Sequence, residues 1–251
     1  RSRWLSWGQC SRQQSKELTY QPPGRPRPLP AAMALRLFLD SADPKAWQQW
    51  LPSGLFHGVT TNPTLLRRAA QPCSLDNLAA LSRMALAHGI AELQLQAWGG
   101  TEAEMLRCGQ ALAALAPGHI AVKLPVTQQG AAVARELIGA GVAVTFTACY
   151  EPHQVLIAAA LGVQYIAPYL GRIQDQGRDG VAEVVTMQRC LAGLGSSVRL
   201  LVASLRQPSE LSRLAAEGLN TFTISPALAA ELFGSEATAA ASVQFESDAR
   251  S

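Results

Sequence analysis

The chain has 251 residues, 48% of them hydrophobic and only 16% charged, with a formal net charge of +3. That length suits one large core, and no apolar run reaches the ~18 residues a membrane helix needs, so composition predicts a soluble single-core protein. The positive excess gathers in the first thirty residues, where Arg1, Arg3, Arg12, Lys16, Arg25 and Arg27 face one acid, Glu17. No basic face interleaved with aromatics follows, which excludes the electrostatic footprint of a nucleic-acid binder.

Residues 1–32 are rich in Arg, Pro, Gln and Ser, and the proline-dense stretch 20–30 lacks the backbone donors that helix or sheet requires. We expect this segment to be a disordered extension. It reads as sequence upstream of a true start at Met33, because the first strand pattern begins two residues later. As an Arg- and Ser-rich, acid-poor leader it would instead be transit-like and send the chain to a plastid. Without such a leader the expected compartment is the cytoplasm. Five widely spread cysteines, Cys10, Cys73, Cys108, Cys149 and Cys190, include no Cys-x-x-Cys pair. That pattern argues against a disulfide framework or a zinc site and for a reducing compartment.

From Met33 onward short β-branched and apolar runs alternate with helical stretches. Strands are expected at 35–41, 58–61, 93–98, 121–126, 142–148, 165–170, 198–204 and 221–225. Between them apolar residues recur at three- and four-residue spacing, as in Leu75, Leu78, Leu81, Ala85 and Leu86, or Val181, Val184, Val185 and Leu191. Strand starts recur about every 27 residues, close to the ~30 of a βαβ unit, and eight such units can close on themselves. The expected fold is therefore an α/β protein, a single (β/α)8 TIM barrel over 33–251. A stretch from 235 to 246 is surplus and predicts an extra C-terminal helix. A doubly wound sheet would usually carry a glycine-rich loop after its first strand, and Asp40 to Pro44 is not one.

Only three lysines occur, Lys16, Lys45 and Lys123, and Lys123 lies inside a strand among apolar neighbours. Desolvation lowers the pKa of such an amine, and a neutral amine attacks carbonyls to form a Schiff base. A strand-end lysine can also simply reach water or a carboxylate. The other strands end in polar residues where a barrel builds its active site. These are Asp40, then Thr60, Thr61 and Asn62, then Gln96, Thr147, Tyr169 with Arg172, and Ser204 with Arg206. A Schiff base needs an acid/base relay that expels and recaptures water, which Thr147, Gln96 and Tyr169 can hold. Asp40 can move the proton of the hydroxyl beside the bond being cleaved, while Arg172, Ser204 and Arg206 offer a phosphate clamp. His57, His88, His119 and His153 lack ligand spacing, so neither a metal nor another cofactor is expected. Cys149 reads as a small core residue rather than a nucleophile.

Five motifs carry a family resemblance: LFLDSAD at 37–43, GVTTNPT at 58–64, VKLPVT at 122–127, APYLGR at 167–172 and ASLR at 203–206. In this order they resemble the signatures of the small transaldolase and fructose-6-phosphate aldolase family over residues 35 to about 245. The resemblance implies a metal-free class I mechanism in which Lys123 captures a dihydroxyacetone unit from a ketose phosphate. It further implies Asp40 as acid/base, Thr147 and Gln96 placing a water, Asn62 on a donor hydroxyl beside Thr60, and Arg172, Ser204 and Arg206 on phosphate. Transaldolases resemble one another in Glu at the place of Gln96 and usually Phe at that of Tyr169, so this chain is more similar to the aldolase branch. Fructose 6-phosphate aldolase activity is therefore expected ahead of transaldolase activity in the pentose phosphate pathway. Thr145, Phe146, Gln128 and Gln129 depart from the usual pattern and bear on donor preference. Family members resemble one another in forming rings with exchanged terminal helices, so a homo-oligomer built through the C-terminal helix is expected. A deoxyribose-phosphate aldolase would carry a second active-site lysine, and a non-catalytic phosphosugar-binding barrel would keep the arginines without needing Lys123.

Overall fold

In the computed structural model of the chain, residues 34–251 are described, and the extension expected at 1–32 lies outside them. Eight parallel strands alternate with helices: β1 (Arg36–Asp40), β2 (Gly58–Thr60), β3 (Glu92–Gln96), β4 (Ile120–Pro125), β5 (Ala143–Cys149), β6 (Tyr165–Pro168), β7 (Arg199–Leu200) and β8 (Thr221–Ile224). Each pairs with its neighbour in sequence, and β1 pairs with both β2 and β8. A parallel bridge between Val202 and Phe222 joins the end of the seventh strand segment to β8. The sheet thus comes round on itself as a (β/α)8 barrel and not as an open doubly wound sheet.

The helices are α1 (Pro44–Trp50), α2 (Pro63–Arg68), α3 (Leu75–Leu86), α4 (Glu102–Ala114), α5 (Gln128–Gly139), α6 (Gln154–Leu161), α7 (Leu170–Asp175), α8 (Gly180–Gly193), α9 (Pro208–Ala216), α10 (Pro226–Glu231) and α11 (Glu236–Asp248). Local chemistry starts many of them. Asn62 accepts from the Leu65 amide at 2.9 Å ahead of Pro63, whose missing N–H is no loss in a first turn. Thr101 and Glu104 form a reciprocal capping box at the head of α4.

Several expected strands are shorter than their sequence pattern, and for two the cause is plain. The sixth ends at Pro168, and α7 begins two residues later with the Leu170 amide on the Ala203 carbonyl. The seventh is regular only at Arg199–Leu200, because the chain then pairs with two different partners, Val202 with Phe222 and Ala203 with Tyr169.

Side chains alternate between the two faces of each strand. Leu37, Leu39, Val59, Leu93, Leu95, Val122, Leu124, Val144 and Phe146 face the helices in the main hydrophobic cluster. Phe38, Tyr165, Ala167 and Leu201 form a separate cluster inside the barrel, with Phe38 edge-on to Tyr165 at 5.9 Å. Below that layer the floor is polar. Glu92 accepts from Tyr165 Oη at 3.0 Å, Gln94 Nε2 at 2.8 Å and Gln164 Nε2 at 3.1 Å, while Arg36 donates to the Tyr165 oxygen. Burial pushes the Glu92 carboxyl upward and drives the Tyr165 phenol up to about 12. This closed polar network leaves the opposite, C-terminal end of the barrel as its open mouth.

Beyond the eighth unit, α11 packs none of its residues into the core, and Val243 and Phe245 are 72% and 70% exposed. One glycine is fixed by close approach: a Cβ at Gly58 would lie 2.1 Å from the Glu92 carbonyl oxygen and 2.9 Å from the Phe38 ring. We expect Gly58→Ala to cost about 3 kcal/mol or more in urea unfolding, because the backbone of β3 must move to admit the methyl group.

Candidate active site

At the mouth of the barrel a cavity of ≈190 Å³ is lined by Asp40 from β1, Asn62, Lys123 from β4, Tyr169 with Arg172, and Ser204. These are six of the ten residues singled out from sequence, brought to one face by strands far apart in the chain. Parallel pairing sets their heights, with Asp40 level with Thr60 and Lys123 level with both Gln96 and Thr145.

Lys123 is 5% exposed, and its amine donates to the Thr61 carbonyl at 2.8 Å. It takes part in none of the ion pairs among the described residues. Desolvation lowers its pKa below the ordinary lysine value, and the charge of Asp40 across the cavity opposes that shift only in part. The result is an amine biased toward its neutral, nucleophilic form beside a carboxylate.

The remaining four residues stand around this group without lining the cavity. Gln96 donates through Nε2 to the Lys123 carbonyl at 3.0 Å and accepts from Thr147 Oγ1 at 3.2 Å. Thr147 is held at the same time by the Leu124 carbonyl at 3.2 Å. Thr60 is fully buried, and its hydroxyl donates to Asp40 Oδ1 at 2.7 Å. Arg206 points its guanidinium to Asp175, 2.6 Å away, so this expected phosphate ligand sits in an ion pair at the rim.

Tyr169 and Arg172 act as one unit. The guanidinium carbon of Arg172 lies 4.9 Å from the Tyr169 ring centroid, a cation–π contact, and Nη1 donates to Tyr150 Oη at 3.3 Å. Tyr150 in turn packs edge-on to Tyr169 at 5.6 Å. Burial raises the Tyr169 phenol, so it keeps its proton at neutral pH. Gly171 permits the tight turn between them, since a Cβ there would meet the Ser204 carbonyl oxygen at 2.4 Å. Ser204 and Ala148 hold left-handed φ values of 60° and 56°, two strained positions at the rim of the site.

Four participants escaped the sequence reading: Thr64, Arg68, Tyr150 and Thr223. Thr64, Leu65 and Arg68 face the cavity together because residues three and four apart share one side of α2. That spacing was a legible signal for Arg68. The place of Thr223, at the end of β8, depends on barrel closure. Cys149 is buried, and desolvation pushes its thiol up to about 12, which suits packing and not nucleophilic attack.

A buried amine and a carboxylate at the C-terminal mouth define a (β/α)8-barrel enzyme. Residues 37–251 match the family model described as Transaldolase/Fructose-6-phosphate aldolase, and the chain belongs to that family. It is 33% identical over 199 residues to a "Probable transaldolase" of Caulobacter sp. (strain K31), covering 79% of this chain and 89% of that protein. A "Probable transaldolase" of Rhodospirillum centenum (strain ATCC 51521 / SW) is 34% identical over 218 residues, covering 85% and 90%. A third relative of the same printed name, from Anaeromyxobacter dehalogenans (strain 2CP-C), is 32% identical over 190 residues, covering 76% and 85%.

The lowered pKa can be read directly. In NMR of reductively ¹³C-methylated protein, Lys123 should titrate below the ordinary lysine range. Asp40→Asn should lower the Lys123 midpoint further, since the aspartate charge raises it. A Lys123 midpoint at the ordinary lysine value would contradict the assignment.

Proposed function

We propose that the protein is a class I aldolase that cleaves and forms fructose 6-phosphate through a Schiff base on Lys123. The observation that carries this is the buried Lys123 amine, hydrogen-bonded to a main-chain carbonyl and paired with no carboxylate among the described residues. Nucleophilic addition needs the neutral amine, which burial favours.

The amine adds to the ketose carbonyl, and loss of water gives the iminium. Asp40 removes the proton of the hydroxyl beyond the adjacent carbon, the carbon–carbon bond breaks, and the iminium takes up the electron pair as glyceraldehyde 3-phosphate departs. Gln96 and Thr147 hold the water that is expelled and recaptured, and Asn62, whose Oδ1 is spent on the helix cap, offers its amide N–H groups to a donor hydroxyl. Arg172 and Ser204 bind phosphate from one side and Arg68 from the other, with Arg206 joining by exchanging Asp175 for the ligand. The Tyr169 hydroxyl supports protonation of the enamine by water and release of dihydroxyacetone. The relatives' printed names favour a second reading, in which the enamine is passed to an aldehyde acceptor as in a transaldolase. A neutral Gln96 and a hydroxyl at Tyr169 favour acceptor-free release.

Incubation with fructose 6-phosphate, with and without erythrose 4-phosphate, separates the two. Glyceraldehyde 3-phosphate formed without acceptor is the expected result, and formation only with acceptor assigns the transaldolase reaction. Lys123→Met should reduce either rate by at least about 10³-fold. Equal turnover by wild type and Lys123→Met would end the Schiff-base reading, and tight ligand binding without turnover would leave a phosphosugar-binding barrel.

We further propose that α11 docks on a second copy of the chain, in keeping with its lack of buried residues and its exposed Val243 and Phe245. The cytoplasm is the compartment we assign to such an assembly. Light scattering should give a multi-subunit mass that falls when the chain is truncated after Gly234, whereas a monomeric full-length protein would exclude the assembly.

A further inference from the structure

Behind the candidate base lies a buried chain of hydroxyls. Thr60 Oγ1 is 2.7 Å from Asp40 Oδ1 and 2.5 Å from Thr223 Oγ1. Thr60 is fully buried and Thr223 is 4% exposed, so bulk water does not compete for these contacts. Their directions follow from proton counting. A carboxylate accepts and cannot donate, so Thr60 is the donor to Asp40. A hydroxyl has a single proton, and that of Thr60 is now committed. The contact between the two threonines therefore has Thr223 as donor and Thr60 as acceptor.

We infer that Thr223 is a positioning residue for the proton transfer at Asp40, acting through Thr60. The relay Thr223→Thr60→Asp40 runs from β8 through β2 to β1 and fixes the Asp40 carboxylate by Oδ1. That bond leaves Oδ2 to serve the substrate hydroxyl, and Asp40 lines the cavity. Thr223 also borders the cavity, but its proton is committed inward. Polarisation along such a chain strengthens the terminal bond to the carboxylate. Valine has the shape of threonine without the hydroxyl, so Thr223→Val removes the donor while leaving the barrel packed.

The inference rests on the proposed Schiff-base reaction, and its test separates the two. Imine formation needs Lys123 and a carbonyl, whereas carbon–carbon cleavage also needs Asp40. In Thr223→Val, borohydride trapping of dihydroxyacetone on Lys123, read by mass spectrometry, should match wild type. Cleavage kcat should fall about fivefold, the worth of one buried neutral hydrogen bond, with KM changed less than twofold. Thr223→Ser, which keeps the hydroxyl, should recover kcat to within about twofold of wild type. Wild-type kcat in Thr223→Val, or equal impairment in the serine and valine variants, overturns the role of the hydroxyl. If wild-type protein traps nothing on Lys123, the Schiff-base reading itself fails and the inference falls with it.

Discussion

Removing one amine from water without giving it a carboxylate partner is the constraint around which this barrel is arranged. A lysine ammonium in an apolar interior is costly, and the cost is relieved by a counter-ion, by a path to water, or by loss of the proton. Lys123 sits mid-strand in β4, its flanking residues Val122 and Leu124 turned into the helical layer, and its hydrogen bond goes to a main-chain carbonyl. Asp40 faces it across the cavity, outside ion-pair range. Had the carboxylate moved within 4 Å, the pair would have been more stable and the amine less nucleophilic.

The surrounding polar groups make sense as supports for that arrangement. Gln96 ties the Lys123 backbone to Thr147, so two neighbouring strands fix the height of the lysine. A glutamine serves here because its amide donates to the Lys123 carbonyl while its oxygen accepts from threonine, two opposite tasks that one ionised carboxylate cannot perform. At the far end of the cavity, the Tyr169 ring carries the Arg172 guanidinium and Gly171 lets Ser204 close in. The polar network around Glu92 fills the end of the barrel opposite the cavity.

Much of this was legible in the sequence because barrel geometry converts a period-two pattern into a direction. Once Lys123, Asp40 and Gln96 are placed on strands, alternation turns them inward and parallel pairing brings them level. The fold followed from eight apolar runs with a regular spacing, and the surplus final helix from a ninth pattern. What stayed hidden depends on contacts that no local pattern encodes. The ion pair of Arg206 with Asp175 follows from where α7 ends relative to the loop after β7. The contact of the Thr60 hydroxyl with Asp40 follows from the register between β1 and β2. Thr223 drew no notice, since its importance arises only when the last strand lies beside the first.

That last adjacency ties chemistry to the completeness of the chain. Lys123 and its support from Gln96 and Thr147 come from strands three to five, near the middle of the molecule. The donor to Asp40 is Thr60 of β2, and Thr60 in turn is met by Thr223, contributed by the last strand to be synthesised. A nascent chain that has reached only β7 carries every residue of the lysine cluster but lacks Thr223, the partner behind Thr60. In the reaction we propose, full proton-transfer competence therefore arrives with ring closure, when the two ends of the barrel meet.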